Sequence, residues 1–364
     1  MNTSCTSKVA VILFLGALWM PLLGMFFGMG EFRSIDENRE LAQWPKPGIG
    51  VKGWFDFGSA FTRYFHDRFG FRGTLITAQA LFKVKALGVS SSPDVAIGKQ
   101  GWLFYTAENS MDNYRGTLPF APGELGNWVQ LFQRREDWLA RRGIAMCVAI
   151  VPDKQTIYPE FLPSWVGKAR GPTRLDAFLP AIRHASNVPA LDLRAVLLDA
   201  KTRHLEVYHR TDTHWNAPGI YAAYVEILRE IAKKYPDLRP VPFSDNVHGG
   251  AYTPGDLAKM LGLGSVWREI PQGAPQPPEL RSEETPEGDL LIRQPGASNR
   301  RLAMFGDSFM FPLIPYLARH FGRTWVSRAA VLKPALLERE RPDIVLFEMV
   351  ERKLNSPAPR DPLD

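Results

Sequence analysis

The sequence is poor in cysteine, with only two, Cys5 and Cys147, among its 364 residues. It contains no zinc-type cysteine array, no phosphate-binding P-loop and no GxGxxG turn of a dinucleotide-binding fold. These absences exclude the common zinc-binding and nucleotide-binding classes. We therefore expect a protein that uses neither a metal nor a cofactor.

The chain also lacks a long block of charge of one sign. Its formal net charge is +6, but the basic residues are dispersed, and a run such as RREDWLARR is typical of a solvated helix face. We therefore expect no nucleic acid partner. With 45% hydrophobic and 23% charged residues, the composition excludes a disordered chain, and the length suits one large domain or two ordinary ones.

One uncharged stretch is long enough to cross a bilayer. After the short segment 1–8, residues 9–30 read VAVILFLGALWMPLLGMFFGMG, which is longer than the apolar core of most cleaved signal peptides. Lys8 and the terminal amine favour an inner N-terminus with the rest of the chain exported. The sequence predicts one uncleaved anchor, although a weak signal-peptidase site at Gly28–Gly30 leaves cleavage as an alternative. Cys5 and Cys147 would then lie on opposite sides of the membrane, where they cannot form a disulfide.

Residues 31–94 are predicted to form a stem and a helical lead-in. EFRSIDENRELAQWPKPG is typical of an extended, proline-punctuated stem, and a helical segment follows from about Phe55 to Leu87. The aromatic residues in FDFGSAFTRYFHDRFGFR favour a core or a docking surface over a ligand cage. We expect His66 and Asp67, within this segment, to lie on the surface.

From about Val95 to the C-terminus, strand and helix patterns alternate. ELGNWVQLFQRREDWLARRG predicts an amphipathic helix, and GIAMCVAIV is a continuous apolar run typical of a strand buried on both faces of a parallel sheet. VPALDL, RRLAMF, RTWVS and PDIVLFEMV are further candidate strands. The alternation predicts a layered α/β domain over residues 95–364, with a long loop or a hairpin carrying GDLLIRQ between Pro271 and Ser298.

Chemistry in such folds collects at the carboxyl ends of parallel strands, and one predicted strand ends in an unusual tetrapeptide. RRLAMF runs into Gly306-Asp307-Ser308-Phe309, and a helix is predicted to follow. Gly306 permits a sharp turn, and Ser308 would be exposed near a helix N-terminus, where N–H groups and the helix dipole stabilise an oxyanion. A simple helix N-cap formed by Asp307 or Ser308 is the structural alternative.

A second polar stretch, YHRTDTHWNAPG, begins at Tyr208. Asn216 is a good N-cap for the helix APGIYAAYVEILREIAKKY, which would anchor the residues before it. If residues 211–215 are locally extended, Asp212 and His214 point to the same side, so the carboxylate can orient one ring nitrogen while the other acts as a base. The alternative is a surface loop in which Asp212 forms an Asx turn and His214 is solvated.

The two stretches complement each other chemically. A serine hydroxyl is a poor nucleophile at neutral pH unless a base removes its proton. The sequence therefore predicts that Asp212 orients His214, and that His214 in turn activates Ser308.

Several motifs carry a resemblance to a known family. GDSF, DTHWN, GKQGWLFY, VPDKQTIYPE, GDLAKML and VLFEMVER, with their order along the chain, resemble the SGNH-hydrolase-like domain of the alginate O-acetyltransferase family. The resemblance runs from about residue 37 almost to the C-terminus. It implies an SGNH-like layered α/β fold with a central, mostly parallel sheet behind one transmembrane helix. It also implies Ser308 as nucleophile, His214 as base and Asp212 as orienting acid, with the DxH pair before the serine, unlike ordinary SGNH esterases.

The resemblance also implies a function and partners. Members of this family are periplasmic proteins, some of them membrane-anchored, that acetylate exopolysaccharides. We expect an O-acetyltransferase held in the inner membrane with its catalytic domain in the periplasm, which passes acetyl through a serine acyl-enzyme to an alginate-like or other polysaccharide. A membrane-embedded acyl-transfer partner would supply the acetyl group. The alternatives are a polysaccharide acetyl-esterase of the same fold and a non-catalytic scaffold of an export complex.

Two aspects of the site stay open in the sequence. No stretch matches the separate glycine and asparagine oxyanion motifs of SGNH enzymes, so the N–H of Ser308 is the one oxyanion donor that the sequence predicts. Other polar and aromatic residues near strand ends have either a place in the cleft or a purely structural role: Asp153 and Lys154, Glu348, Glu351 and Arg352, and Trp102 and Tyr105.

Overall fold

A computed structural model describes residues 3–27, 33–34, 39–46, 48–166, 170–242, 254–269 and 280–363 of the chain. The chain divides into two compact units. The first comprises Met1–Val95 with Pro254–Arg268, and the second comprises Ala96–Thr253 with Glu269–Asp364. The functional segments predicted above, with boundaries after residues 8, 30 and 94, stay a prediction.

Helices and strands alternate through most of the described chain. The helices are α1 (Thr3–Phe26), α2 (Gly50–Arg68), α3 (Arg72–Leu81), α4 (Ser110–Arg115), α5 (Glu124–Ala140), α6 (Lys154–Ile157), α7 (Arg174–Ala185), α8 (Arg194–Thr202), α9 (Ala217–Ala232), α10 (Asp256–Met260), α11 (Ile314–Ala318) and α12 (Pro334–Glu340). The strands are β1 (Arg33–Ser34), β2 (Arg39–Glu40), β3 (Val95–Ile97), β4 (Leu103–Tyr105), β5 (Ala145–Val151), β6 (Ala190–Asp192), β7 (Ser282–Glu284), β8 (Leu290–Arg293), β9 (Ser298–Phe305), β10 (Phe321–Ser327) and β11 (Ile344–Val350).

The first unit contains α1, α2, α3 and α10. Between Ser7 and Phe26, α1 is long and apolar enough to cross a membrane, as the sequence predicted. Most of its side chains are exposed on all sides, which is the pattern of a helix made for lipid and not for a protein core. The candidate cleavage site Gly28–Gly30 lies outside the described residues.

The second unit is built on a seven-stranded sheet in the order β6-β5-β11-β9-β10-β8-β7. The five strands from β6 to β10 run parallel to one another, and β8 and β7 add an antiparallel edge hairpin. The mostly parallel α/β sheet is confirmed. The hairpin that carries GDLLIRQ is confirmed as well, whereas residues 270–279 of the preceding stretch lie outside the described part of the chain.

Apolar side chains cover both faces of the sheet, which explains the uninterrupted apolar runs of β5 and β11. On one face, Ile220, Tyr224 and Ile227 of α9 pack with Phe309 and Leu317, and on the other face α5 and α7 supply a second cluster. Because the central strands are parallel, β5, β9 and β11 end at the same edge of the sheet. The polar residues that follow these three strands therefore meet there.

Candidate active site

The nucleophile turn, residues 306–309, begins where β9 ends. A Cβ on Gly306 would lie 2.6 Å from Oε2 and 2.9 Å from the carbonyl oxygen of Glu348 on the neighbouring strand β11. The N–H of Gly306 donates to the carbonyl oxygen of Ser327 at the end of β10. A side chain at position 306 would push this turn away from the strand ends, which is why the motif needs glycine.

Asp307 shapes the turn with both oxygens of its carboxylate. Oδ1 accepts a hydrogen bond from the N–H of Phe309 at 2.9 Å, and Oδ2 accepts one from the N–H of Val350 at 2.9 Å. Ser308 stands between these anchored residues and is exposed. The carboxylate therefore orders the turn, and the serine hydroxyl is the group that the turn presents to solvent.

The helix predicted directly after Ser308 begins later and is shorter than expected. Phe311–Leu313 form a single 3₁₀ turn, and α11 covers only Ile314–Ala318. Pro312 and Pro315 lack the N–H that a helix interior needs, and both therefore lie in a first turn, Pro312 in the 3₁₀ turn and Pro315 at the start of α11. Ser308 thus lies near the start of a helical segment, as predicted, but two residues before its N-cap Met310 and not in a regular α-helical turn.

The acid–base loop, residues 208–216, is a narrow loop that precedes α9. Tyr208 and Trp215 close its base as an antiparallel bridge. The residues between them are bends, so the locally extended conformation predicted for residues 211–215 is wrong. Asn216 ends the loop as predicted, because its side chain caps α9 by accepting from the N–H of Gly219 at 3.3 Å.

A local turn brings the acid and the histidine together instead. Oδ1 of Asp212 accepts the backbone N–H of His214 at 2.9 Å, which is an Asx turn. The same oxygen lies 2.7 Å from Nδ1 of the His214 ring. The Asx turn was the structural alternative to catalysis in the sequence, but here it aligns the carboxylate with the imidazole.

The His214 ring connects the two stretches. Its Nε2 lies 2.8 Å from Oγ of Ser308, while Nδ1 faces Asp212 and also lies 3.2 Å from Oγ1 of Thr213. With a proton on Nδ1, the ring donates to the carboxylate and Nε2 accepts from the serine hydroxyl. The structure thus brings Ser308, His214 and Asp212 into one hydrogen-bonded chain, with His214 and Asp212 about a quarter exposed.

Trp215 joins the acid–base loop to the nucleophile turn. Its indole Nε1–H donates to the carbonyl oxygen of Phe309 at 3.1 Å, and both side chains are fully buried. The Phe309 ring also lies against the imidazole of His214, with 4.6 Å between ring centroids. The residues after the histidine and after the serine therefore hold the two motifs in register, a role that the sequence did not assign to Trp215.

Lys154, one of the unassigned residues at the end of β5, fixes the acid–base loop from below. Its ammonium donates to the carbonyl oxygens of His209, Arg210 and Asp212, at 3.0, 3.3 and 2.6 Å. The side chain is only 3% exposed, so Lys154 is a buried residue and not a surface one. Its position directly after an apolar parallel strand was the one signal that could have indicated this role.

Glu269 holds the opposite side of the same loop. Its carboxylate accepts from the N–H of Arg210 at 2.8 Å and from both the N–H and the hydroxyl of Thr211, the latter at 2.8 Å. Sequence reasoning missed Glu269, because it lies outside every motif and next to a proline-rich stretch. Thr211 is buried, so its hydroxyl serves this contact and is not turned toward solvent.

Buried acids surround Arg352 beneath the nucleophile turn. Arg352 donates to the Asp153 carboxylate, and Thr156 donates to Oε1 of Glu351 at 2.7 Å. Burial raises the pKa of Asp153 and Glu348 and brings the pKa of Glu351 to about 8. Some of these carboxyl groups therefore stay protonated at neutral pH. The cluster lies below the exposed serine, and the salt bridges of Arg352 run to Asp153 and Glu108, not to Glu348 or Glu351.

Glu348 contacts the nucleophile turn directly. Its Oε2 accepts from the N–H of Asp307 at 3.3 Å, and Oε1 is buried with no hydrogen-bond partner among the described residues. Burial, and then the neighbouring Asp307 carboxylate, raise the pKa of Glu348 well above its usual range. The raised pKa favours the neutral form of Glu348, which avoids a second negative charge beside Asp307.

The aromatic candidates and the lead-in residues have plain structural positions. Trp102 is 1% exposed and stacks on Phe161, with ring centroids 5.0 Å apart, so it belongs to the core. Tyr105 lies under the Arg352 guanidinium at 5.1 Å. His66 is exposed as expected, whereas Asp67 is partly buried, and its carboxylate accepts the N–H of Ala42 at 2.8 Å.

The parallel sheet and the polar cluster at its carboxyl edge define an α/β protein of the SGNH-hydrolase-like class. The family described as "SGNH hydrolase-like domain, acetyltransferase AlgX" matches residues 95–331, well over half of the chain. The chain belongs to this family, and the resemblance predicted from its motifs is confirmed.

Curated relatives carry names that point the same way. The chain is 30% identical over 226 residues to the "Probable alginate O-acetylase AlgJ" of Pseudomonas aeruginosa, an alignment that covers 59% of this chain and 52% of that protein. It is 31% identical over 229 residues to the protein of the same name from Pseudomonas syringae pv. tomato, with 61% and 54% covered. The chain thus spans about half the length of the curated relatives it matches.

Solved structures share the fold at low sequence identity. The "O-Acetyltransferase Domain of Pseudomonas putida AlgJ" matches with a TM-score of 0.50 and 21% identity, covering 73% of this chain and 94% of that one. The structure of Bacillus cereus PatB1 with a sulfonyl adduct matches with a TM-score of 0.53 and 14% identity, covering 72% and 96%. At identities below 25%, these likenesses show a shared fold alone.

Proposed function

We propose that this protein is an O-acetyltransferase that moves acetyl through Ser308 onto hydroxyl groups of an exported, alginate-like polysaccharide. One observation carries the proposal: the His214 ring bonds to Asp212 on one nitrogen and to Ser308 on the other. The names of the curated relatives supply the substrate class. The exposed Ser308 suits a polymer acceptor, because a sugar in the middle of a long chain cannot enter a closed pocket.

The first half-reaction forms an acetyl-serine. As Ser308 Oγ attacks the acetyl carbonyl, its proton moves to Nε2 of His214, and the Asp212 carboxylate stabilises the resulting imidazolium through Nδ1–H. The backbone N–H of Ser308 is our candidate donor to the oxyanion. When the carbonyl re-forms, the bond to the donor's leaving group breaks, and that group takes the proton from Nε2.

The second half-reaction repeats the same steps in reverse order. A sugar hydroxyl gives its proton to Nε2 of His214 while its oxygen attacks the acetyl carbon on Ser308. The bond from the acetyl carbon to Oγ then breaks, and Oγ recovers the proton from Nε2. The products are an O-acetylated sugar and the free serine.

The acetyl donor requires a partner on the outer side of the membrane. We propose that α1 is a single inner-membrane anchor, that the catalytic unit faces the periplasm, and that a membrane-embedded acyl-transfer partner delivers the acetyl group. A tether of this kind raises the local concentration of the enzyme beside its donor. An esterase that acts on finished polymer gains no such advantage, which favours transfer over hydrolysis.

Transfer and hydrolysis share the acetyl-serine and differ only in the attacking hydroxyl, so one paired assay separates them. Full-length protein in detergent is incubated with an activated acetyl ester and oligouronate, and in a second tube with acetylated oligouronate alone. Mass spectrometry should show oligosaccharide masses rising by single acetyl groups in the first tube. Ser308→Ala should abolish the gain, and Ser59→Ala, which removes an exposed serine of the first unit, should leave it unchanged.

The other outcomes decide between the alternatives. Acetyl loss in the second tube without gain in the first would establish an esterase. No change in either tube across several polysaccharides would favour a non-catalytic scaffold. Neutral oligosaccharides that gain acetyl as well as uronates would widen the acceptor class beyond alginate-like polymers.

The anchor has its own test. Alkaline phosphatase fused after Asp364 is active only when it is exported, so the fusion should be active and should fractionate with the inner membrane after a salt wash. A full-length fusion without phosphatase activity would refute the proposed orientation. Activity in the soluble periplasmic fraction would show that the segment is cleaved.

A further inference from the structure

A cluster of aromatic side chains on α2 has no part in the proposed reaction. This aromatic patch consists of Trp44, Trp54, Phe57, Phe61 and Tyr64. The Trp44 ring meets Phe61 and Tyr64 edge to face, with centroids 5.8 and 5.1 Å apart. Even so, Trp44 is 61% exposed and Trp54 is 67% exposed. A contiguous apolar surface of this kind marks an interaction site.

The segment that carries Trp44 is held in place along the end of α2. The N–H of Ala42 donates to the carboxylate of Asp67 at 2.8 Å, and Nε of Arg68 donates to the carbonyl oxygen of Ala42 at 3.3 Å. These bonds fix the backbone two residues before Trp44. The indole is therefore presented to its surroundings by an ordered chain, and its exposure does not come from fraying.

The C-terminal end of α2 touches α1. Gly70, just after α2, lies so close to α1 that a Cβ there would be 2.3 Å from the carbonyl oxygen of Pro21 and 2.7 Å from the nitrogen of Met25. A Cβ on Gly24 would meet the ring of Phe71 at 2.7 Å. Because α1 ends at Phe26, this contact lies within about 8 Å of its end, given a rise of about 1.5 Å per residue. Since a 20-residue span covers the hydrocarbon core of about 30 Å, the contact lies in the outer part of that core, next to the headgroups.

The composition around the patch fits a lipid surface. Trp54, Phe57 and Phe61 follow one another at helical spacing on α2, and tryptophan, tyrosine and phenylalanine are the residues that favour the membrane interface. Residues 40–72 contain five basic residues, Lys46, Lys52, Arg63, Arg68 and Arg72, against three acidic ones, Glu40, Asp56 and Asp67. A net positive, aromatic helix beside a membrane anchor is suited to anionic headgroups.

We propose that the aromatic patch docks on the outer surface of the membrane that α1 crosses, with α2 lying in the headgroup layer of anionic lipids. This proposal rests on the anchor in the proposed function. Aromatic side chains can also bind sugar rings by stacking, but the contact of Gly70 with the end of α1 favours lipid. Docking would give the protein a second attachment to the membrane. It would also restrict the motion that a single anchor, α1, allows.

Nitroxide labels on neighbouring positions of α2 test the proposal in the full-length protein. Cys5→Ser leaves Cys147 as the native cysteine, and Cys147 is buried, so an introduced cysteine takes the label. Gly58→Cys places the label on the side of Trp54 and Phe61, where a Cβ has no neighbour within 4 Å. Ser59→Cys is the matched control, since it is exposed on the opposite side of the helix.

The protein is reconstituted in nanodiscs of phosphatidylethanolamine and phosphatidylglycerol, and relaxation of each label by oxygen and by a water-soluble nickel chelate is measured. We expect the Gly58 label to respond mainly to oxygen, as in lipid, and the Ser59 label mainly to nickel. Trp54→Glu should shift the Gly58 label toward nickel, and with 67% of this side chain exposed the fold should tolerate the change.

A label at Leu13→Cys, in the middle of α1, distinguishes failure of this inference from failure of the anchor. Leu13 in lipid and Gly58 in water would overturn docking and leave the anchor intact. Both labels in water would mean that the anchor itself is wrong, and the docking proposal would fall with it. A Gly58 label that stays in water until oligouronate immobilises it would overturn lipid docking in favour of a sugar site.

Discussion

The nucleophile turn and the acid–base loop meet at one hydrogen bond, yet they are held in different ways. The turn fits against the backbone of neighbouring strands: Gly306 leaves room for Glu348, and Asp307 accepts from the N–H groups of Phe309 and Val350. The loop depends on distant side chains: Lys154 reaches the carbonyl of Asp212 across 58 residues of sequence, and Glu269 reaches Thr211 across the same separation.

The difference shows which half of the site is more vulnerable. The backbone bonds that anchor the turn to the neighbouring strand ends, at Ser327 and Val350, survive the replacement of a distant side chain. The loop loses an anchor when either Lys154 or Glu269 is replaced. Damage far from the reacting atoms should therefore disturb His214 and Asp212 before it disturbs Ser308.

Removal of the reacting groups should have the largest effect on turnover. The loss should be similar whether the group comes from the nucleophile turn or from the acid–base loop. Ser308→Ala and His214→Ala should each lower the turnover number for acetyl transfer from an activated ester by on the order of 10⁴-fold or more. Asp212→Asn should lower it less, since Asp212 orients the ring and does not itself react. Circular dichroism melts should match the unaltered protein, and a folded Ser308→Ala variant with normal turnover would contradict the mechanism.

Lys154→Met should damage the acid–base loop alone. Three carbonyl oxygens lose their donor, so we expect the turnover number to fall by about 10²-fold with little change in KM, because the Asp212–His214 geometry loosens. The free energy of unfolding should fall by about 1–3 kcal/mol.

Lys201→Met is the matched control for that change. Lys201 also donates to a backbone carbonyl, that of Ile157 at 2.6 Å, but it does not contact the acid–base loop. The Lys201→Met variant should be less stable than the unaltered protein but should keep a nearly normal turnover number. Equal turnover losses in the two lysine variants would mean that general destabilisation, and not the loop, explains the effect.

Glu348 offers the corresponding test on the nucleophile turn. Burial raises the pKa of Glu348 well above the usual range and so favours its neutral form; we therefore expect Glu348→Gln to leave turnover within about threefold of normal. Glu348→Ala removes the acceptor of the Asp307 N–H and leaves a cavity, so turnover should fall by about tenfold and stability by about 2 kcal/mol. Transfer assays and denaturant unfolding would measure both, and a Gln variant as impaired as Ala would show that a charged carboxylate is required.

The smallest effect on turnover is expected from Glu351, whose signature is a pH dependence of stability. Its pKa of about 8 in the folded protein lies above the usual 4.5, so folding takes up a proton between these values. Stability from this group is therefore fully present below about pH 4.5 and is lost as pH rises toward 8, with a slope of at most about 1.4 kcal/mol per pH unit.

Glu351→Gln should flatten that slope and leave acetyl transfer close to normal. Urea titrations of the full-length protein at intervals from pH 5 to pH 8 would measure it. An unchanged slope in the variant would assign the proton to Asp153, which is buried in the same cluster.

Much of the fold of the second unit could be predicted from the sequence. Continuous apolar runs at residues 145–151 and 344–350 mark strands that are covered on both faces, and both are interior strands of the sheet. The three proposed catalytic residues could be named because each lies in a short motif beside a strand or a capped helix. Their roles stay a prediction, although the geometry now brings them together.

Tertiary structure alone decided how those residues are held and what surrounds them. Lys154 and Glu269 could not be assigned from local pattern, because a hydrogen bond across 58 residues depends on which strands become neighbours. The pKa values of the buried acids beneath the nucleophile turn depend likewise on burial, which cannot be predicted from the identity of a single residue. Local periodicity determines strands, helices and turns, but the direction of each buried side chain is set only when the layers pack.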